Sequence, residues 1–215
     1  MSTTIDTLFG GELTLEQPSE GYRYGIDAVL LGAGAPDADV VVDLGCGVLP
    51  VGLCFLHVQP SARLVGVEVQ AELAALSRAN VIRNGREDRA EVMEADARRA
   101  ALTGADLVLM NPPYFPHGSG ARNPNGQREA ARHEVHGTLR ELCRSAAGMM
   151  GPKARLRMIY PAEQVPRAMT AVAGAGLKVC RLRPIHSFAH APAKLILVDA
   201  RKHGRREVEL APMLV

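Results

Sequence analysis

Val40-Val41-Val42-Asp43-Leu44-Gly45-Cys46-Gly47 is the stretch whose reading decides the fold. Three consecutive β-branched residues make a short strand, and an unbroken apolar run suits one buried on both faces. The strand ends at Asp43. Gly45 and Gly47 then let the backbone turn tightly and approach a ligand closely. Pro50 to Val58 reads as a helix, with proline where a helix tolerates it, at its first position. Strand, glycine turn and helix in that order start an α/β sheet.

Working downstream, Leu64 to Val67 is a second strand that ends at Glu68, and Ala71 to Asn84 is a helix closed by Gly85. Ala90 to Met93 and Asp106 to Met110 are the third and fourth strands. Residues 116–128, rich in Gly, Pro and Asn, read as a loop. A helix is expected over Glu134 to Met150, stopped by Gly151-Pro152, then a strand over Arg155 to Tyr160 and a helix over Ala162 to Ala173. Strands at 178–183 and 195–200 follow one another without a helix between, so one should return antiparallel. Upstream, Gly10-Gly11 marks a hairpin with Leu13-Thr14-Leu15 as its return, and Ile26 to Gly34 reads as a helix. The expected architecture is α/β: a mostly parallel seven-stranded sheet with one antiparallel strand, plus an N-terminal hairpin and helix.

Hydrophobic residues make up 47% of the 215 and charged residues 22%, a balance that excludes a disordered chain. No apolar run reaches the length of a membrane span, and the start lacks a signal-peptide pattern. Cys46, Cys54, Cys143 and Cys180 form no CxxC pair, which argues against a zinc site and a disulfide scaffold and fits a cytoplasmic protein without a metal. The net charge of +2 hides an asymmetry. Residues 1–120 hold 8 Arg against 16 Asp and Glu, whereas residues 121–215 hold 17 Lys and Arg against 7. A basic half can form a phosphate-binding face or simply a solvated one.

Glu68 stands 21 residues after Gly47, where an acidic side chain can accept both hydroxyl hydrogens of a ribose. These features fit NAD and S-adenosylmethionine alike. Pro50, where the dinucleotide turn requires glycine, counts against NAD, and Asp43 just before the glycines suits a cationic cofactor. Asp96, after the third strand, can accept a hydrogen bond from an adenine amine. Asn111-Pro112-Pro113-Tyr114, after the fourth strand, is the most specific signal. The nitrogen of an amide or aromatic amine is planar, with its lone pair delocalised. The Asn111 side-chain oxygen and the Pro112 carbonyl can each accept one of its hydrogens and hold it in line. Pro112 and Pro113 stiffen the loop, and Tyr114 can stack on a flat substrate.

Asp43-Leu44-Gly45-Cys46-Gly47, Val67-Glu68-Val69, Glu94-Ala95-Asp96 and Asn111-Pro112-Pro113-Tyr114 together resemble the class I methyltransferases that modify exocyclic amino groups. More closely, the chain resembles the bacterial family that methylates N6 of the adenosine beside the anticodon of valine tRNA. Gly21 to Leu31 resembles that family's opening motif, Ala131-Arg132-His133-Glu134 a motif after the catalytic tetrapeptide, and Pro192-Ala193-Lys194 its ending. The resemblance covers about Leu8 to Val215. It implies a Rossmann-like methyltransferase catalytic domain over 37–215, with 1–36 as an extension packed on it. It implies S-adenosylmethionine as cofactor, with Arg23, Tyr24, Asp27, Asp43, Gly45, Gly47, Glu68, Val69, Asp96, Ala97 and Asn111 around it. RNA, most specifically tRNA, would be the partner, its phosphates held by the basic second half and by Arg122, Arg128 and Arg132 of the 116–132 loop. His133 suits a helix start or an RNA contact better than a general base, since the amine's proton can leave to water.

The chain departs from the family at one place. The glycine turn ends in Val48-Leu49, so Leu49 would be strained at positive φ and would bring bulk near the cofactor's methionine end. Two alternatives share the motifs: a methyltransferase acting on a protein glutamine amide, which is also a planar NH₂, and a cofactor-binding module without catalysis.

Overall fold

The computed structural model describes residues 2–21, 23–114, 137–204 and 207–215. An eight-stranded sheet forms the centre, in the order β10-β8-β9-β7-β6-β3-β4-β5. Its strands are β3 (Val40–Leu44), β4 (Arg63–Glu68), β5 (Ala90–Glu94), β6 (Ala105–Met110), β7 (Met150–Pro161), β8 (Lys178–His186), β9 (Ala193–Arg201) and β10 (Glu209–Leu210). β3 pairs parallel with both β4 and β6, so the chain reverses its direction of travel across the sheet between them. β9 runs antiparallel between β7 and β8, the one reversed strand of this sheet among the described residues. The sheet has eight strands, where seven were expected. The eighth, β10, is two residues pairing parallel with β8, too short to carry an alternation signal.

Helices α1 (Ile26–Ala33), α2 (Pro50–Val58) and α3 (Ala71–Arg83) cover one face. Their buried Leu31, Phe55 and Ala74 join Val41, Leu107, Leu109, Ile159 and Leu197 in one core. Helices α4 (Leu139–Met149) and α5 (Val165–Gly174) cover the other, where Cys143, Ala146, Ala168 and Val172 meet Val108, Met110, Leu156, Met158 and Val198. Alternate residues of β6, β7 and β9 thus feed opposite cores, as strand geometry requires. No described helix is long and apolar enough to cross a membrane.

Two elements differ in detail from the pattern read in the sequence. The helix expected over 162–173 is a 3₁₀ turn, Ala162–Gln164, followed by α5: Gln164 leaves helical geometry at φ −102° and ψ 15°, and Pro166 sits in the first turn of α5, where its missing N–H costs no bond. The described part of the helix expected from Glu134 starts at Leu139, where Thr138 and Glu141 form a reciprocal capping box. β7 then begins at Met150, since Met150 already pairs with Ala105 ahead of a register shift.

The N-terminal hairpin comprises β1 (Thr3–Leu8) and β2 (Leu13–Pro18), with Leu13 and Leu15 turned into the α1–α3 core. Its inner edge is closed by two asparagines one turn apart, Asn80 on α3 and Asn84 at its C-cap. Asn84 exchanges hydrogen bonds with Thr14, accepting from its N–H at 2.9 Å and donating to its carbonyl at 2.7 Å. Asn80 does the same with Glu16, at 2.7 and 2.9 Å. The side-chain amides thereby replace a neighbouring strand and satisfy an edge that would otherwise be open.

Candidate active site

β3 and β6 end side by side at the point where the strand order reverses, and a pocket opens beyond their carboxyl ends. Open α/β sheets place ligands there because the adjoining loops diverge to opposite faces. Gly45 and Gly47 take φ of 73° and 58°, and a Cβ on Gly45 would meet nothing within 4 Å, so the turn leaves open space above it. The N–H groups of Gly45 and Cys46 both donate to Val67 O, at 2.9 and 3.0 Å, which pins the turn to β4.

Glu68 lies on the pocket wall, 5% exposed. Its Oε2 accepts from Gly47 N at 2.9 Å and its Oε1 from Gln70 N at 2.8 Å. Each oxygen keeps a second lone pair, so the carboxylate is fixed by the backbone and still able to accept two hydroxyl hydrogens. Val69, Asp96, Ala97, Asn111 and Pro113 line the same pocket. Asp96 carries a bidentate pair with Arg98, with Oδ2 2.5 Å from Nη2, and this hydrogen bonding holds its carboxyl down at about 2. Arg98 therefore competes for the oxygens that an adenine amine would use.

Asn111 is held by a triangle. Its Nδ2 donates to Asp27 Oδ2 at 2.9 Å, and Tyr114 OH donates to the same oxygen at 2.7 Å. Tyr114 OH also lies 3.0 Å from Asn111 Oδ1. The tyrosine has one proton, and the shorter contact with an anion takes it. Asp27 thus fixes the Nδ2 end of the amide, and Asn111, with acceptor capacity left on Oδ1, lines the pocket. The Tyr114 ring packs edge-on to Tyr160, centroids 5.9 Å apart.

Four residues expected at the cofactor, Arg23, Tyr24, Asp27 and Asp43, do not line the pocket. The Arg23 guanidinium pairs with Asp6 at 2.9 Å and donates to Thr4 Oγ1 and Pro18 O, bracing the hairpin. Tyr24 packs against the α1–α2 core. Asp43 is fully buried, and its Oδ2 accepts from Gly52 N at 2.9 Å under the first turn of α2. A carboxylate beside a strand-end glycine turn can serve the helix that follows as well as a ligand, and here it serves the helix. Asp27 contacts Asn111 instead. Arg122, Arg128, Arg132 and His133 lie outside the described residues.

The apolar part of the pocket, Val51, Leu73 and Leu142, was not foreseen. In the sequence these residues are indistinguishable from core positions of their helices.

Leu49 corrects a second expectation. It does take a left-handed conformation, φ 70° and ψ 31°, as the N-cap of α2. Its side chain is fully buried and turns away from the pocket, toward the sheet. A Cβ on Gly66 would stand 2.6 Å from Leu49 Cδ1, and one on Gly52 would stand 3.2 Å from it. The bulk feared near the cofactor fills a space that two other glycines leave.

Burial pushes the Asp43 carboxyl up to about 7, with the charge of Glu68 adding to it and the Gly52 N–H opposing it. A folded-state value above the unfolded one near ~3.9 means stability is present below that pH and is lost as pH rises toward 7. Asp43→Asn keeps an acceptor for Gly52 N without the charge. Its melting temperature should match wild type near pH 4 and exceed it at pH 8, by on the order of a few kcal/mol of stability. The same offset at both values would show that the buried charge is not what costs stability.

The sheet, the pocket at its reversal point and the tetrapeptide at the end of β6 define an S-adenosylmethionine-dependent methyltransferase of class I. Residues 28–128 match the family model described as the methyltransferase small domain. A tRNA1(Val) (adenine(37)-N6)-methyltransferase of Porphyromonas gingivalis is 30% identical over 199 residues, 87% of this chain and 77% of that protein. A protein of the same description from Tolumonas auensis is 26% identical, over 91% and 83%. The chain belongs to this tRNA1(Val) (adenine(37)-N6)-methyltransferase family. Among solved structures, a predicted O-methyltransferase from Agrobacterium tumefaciens superposes with a TM-score of 0.70 at 24% identity, covering 88% of this chain and 86% of its own, and shares the fold.

Proposed function

We infer that the chain transfers a methyl group to the exocyclic N6 amine of an adenosine in tRNA, in the cytosol. The observation that carries this is Asn111 on the pocket wall, its amide held by Asp27 and Tyr114. S-adenosylmethionine, when bound, supplies a methyl carbon made electrophilic by the adjacent sulfonium. Glu68 would accept the ribose hydroxyl hydrogens, Gly45 and Gly47 would let the backbone approach closely, and Val69, Asp96 and Ala97 would flank the adenine end. The open space above Gly45 and the free lone pairs of Glu68 fit such a group.

Asn111 Oδ1 and the Pro112 carbonyl accept the two hydrogens of the substrate amine. These bonds strengthen as positive charge develops on nitrogen, which stabilises the transition state more than the ground state. Pro112 and Pro113 keep the two acceptors in place. The proton leaves to water after the transfer. The relatives are named for adenine 37 of a valine tRNA, and the basic second half of this chain suits the same kind of partner. Arg122, Arg128 and Arg132 are proposed as phosphate contacts.

The test is transfer of a labelled methyl to tRNA from cells lacking the enzyme, followed by digestion to nucleosides. Label in N6-methyladenosine is the expected result. Label in the glutamine of a protein extract, with none in tRNA, would instead establish the glutamine-amide reaction. In the same preparation Glu68→Ala should weaken cofactor binding by about 1.5–3 kcal/mol, the worth of hydrogen bonds to a charged acceptor. An unchanged titration would mean that the ribose sits elsewhere.

A further inference from the structure

The sheet face that carries α1 and α2 continues beyond β7 onto β9 and β8. Directly paired residues of antiparallel strands share a face. Register therefore lays Arg155, Arg201 and Lys178 in one row, Arg157, Asp199 and Arg181 in the next, and Ile159, Leu197 and Arg183 in a third. The other side of these strands is taken by α5, whose Ala168 and Val172 pack with Leu182, Ile196 and Val198.

The second row is neutralised. Asp199 grips Arg157 at 2.6 and 2.7 Å, and Glu209 lies 3.1 Å from Arg181. The first row holds three cations in direct register and no carboxylate. Like charges placed opposite one another destabilise a sheet. Among the described residues none of the three stands in an ion pair, and the buried Nε of Arg201 has no acceptor. The Nε of Arg183 is in the same condition, as is that of Arg181, whose 3.1 Å approach to Glu209 is an ion pair without hydrogen-bond geometry. Arg155, Arg181 and Arg201 border one cleft with Cys180, the extra residue of a β-bulge. Of the three carboxylates there, Asp199 and Glu209 are engaged and Glu207 is exposed.

A polyanion resolves this arrangement, because phosphates would take the donors and cancel the repulsion. The row lies at the amino-terminal edge of the parallel strands, across the sheet from the pocket. Arg155 pairs with Leu107, four residues before Asn111, hence ~13 Å along the strand, and β9 lies two strands from β6, ~10 Å across. A nucleotide held at Asn111 has backbone phosphates within that reach.

We propose that the open face of β9 and β8, centred on Arg155, Lys178 and Arg201, binds the sugar-phosphate backbone of the RNA substrate away from the reacting base. This rests on the tRNA reading given under Proposed function. The test uses the full chain and the triple variant Arg155→Gln, Lys178→Gln, Arg201→Gln. Binding of unmodified tRNA is titrated across a series of salt concentrations, and methyl transfer is measured at saturating and subsaturating tRNA. The variant should melt at or above the wild-type temperature, because repulsion is relieved. Its KM for tRNA should rise roughly 10- to 100-fold with kcat and cofactor affinity unchanged, and the slope of log affinity against log salt should fall by about 2. Should the triple variant fail to fold, Arg155→Gln and Lys178→Gln singly should each lower the slope by up to about 1. Wild-type slope and KM in the variant overturn the proposal while leaving the tRNA reading intact. A wild-type protein that neither binds nor methylates tRNA overturns that reading, and binding to phosphatidylserine vesicles but not to tRNA overturns both.

Discussion

Asn111→Ala is expected to lower methyl transfer about 10²–10³-fold while leaving cofactor affinity close to wild type, the usual consequence of losing one fixed acceptor for developing charge. The side chain touches Asp27 and Tyr114 as well as the pocket, so the substitution also leaves Asp27 without the Asn111 donor. Asp27→Ala separates the two effects. It keeps the Asn111 oxygen but frees the amide to rotate, so turnover should fall less than in Asn111→Ala, with cofactor titrations unchanged. If Asp27 instead held the cofactor directly, the affinity would drop and turnover at saturation would not. Near-normal turnover by Asn111→Ala would remove the amide from the mechanism altogether.

Leu49→Gly should lower the melting temperature by roughly 4–12 °C without tightening cofactor binding. Two terms oppose each other. A leucine at positive φ costs about 1–2 kcal/mol, which glycine would recover. Deleting a fully buried leucine side chain costs ~2–5 kcal/mol, because the space it filled does not close. Glycine at 52 and at 66 makes that space permanent, since neither carries a side chain to move into it. The loss therefore exceeds the gain. Calorimetric melting and cofactor titration of both proteins side by side decide the matter. A higher melting temperature with tighter binding would show that strain, not packing, dominates at this turn.

Much of the molecule is legible in the sequence alone. The strand at Val40, the helix over Pro50–Val58, the hairpin around Gly10-Gly11 and the reversed strand near the end follow from periodicity and turn chemistry, which are local properties of the chain. That Glu68, Asp96 and Asn111 line one pocket also follows from the sequence, because strand ends on one edge of a parallel sheet converge whatever the loops between them do. What periodicity could not assign was the direction of side chains near the turn. Asp43 and Glu68 both end strands that lead into the pocket. Only packing shows that Asp43 supports α2 while Glu68 lines the pocket. Leu49 is likewise a defect in the sequence and a fitted part in the fold, because its partners Gly52 and Gly66 become neighbours only when β3 and β4 pair. The same holds for the row of Arg155, Lys178 and Arg201. They are scattered in sequence and aligned only by strand register, a long-range choice that the sequence leaves open until the core selects it.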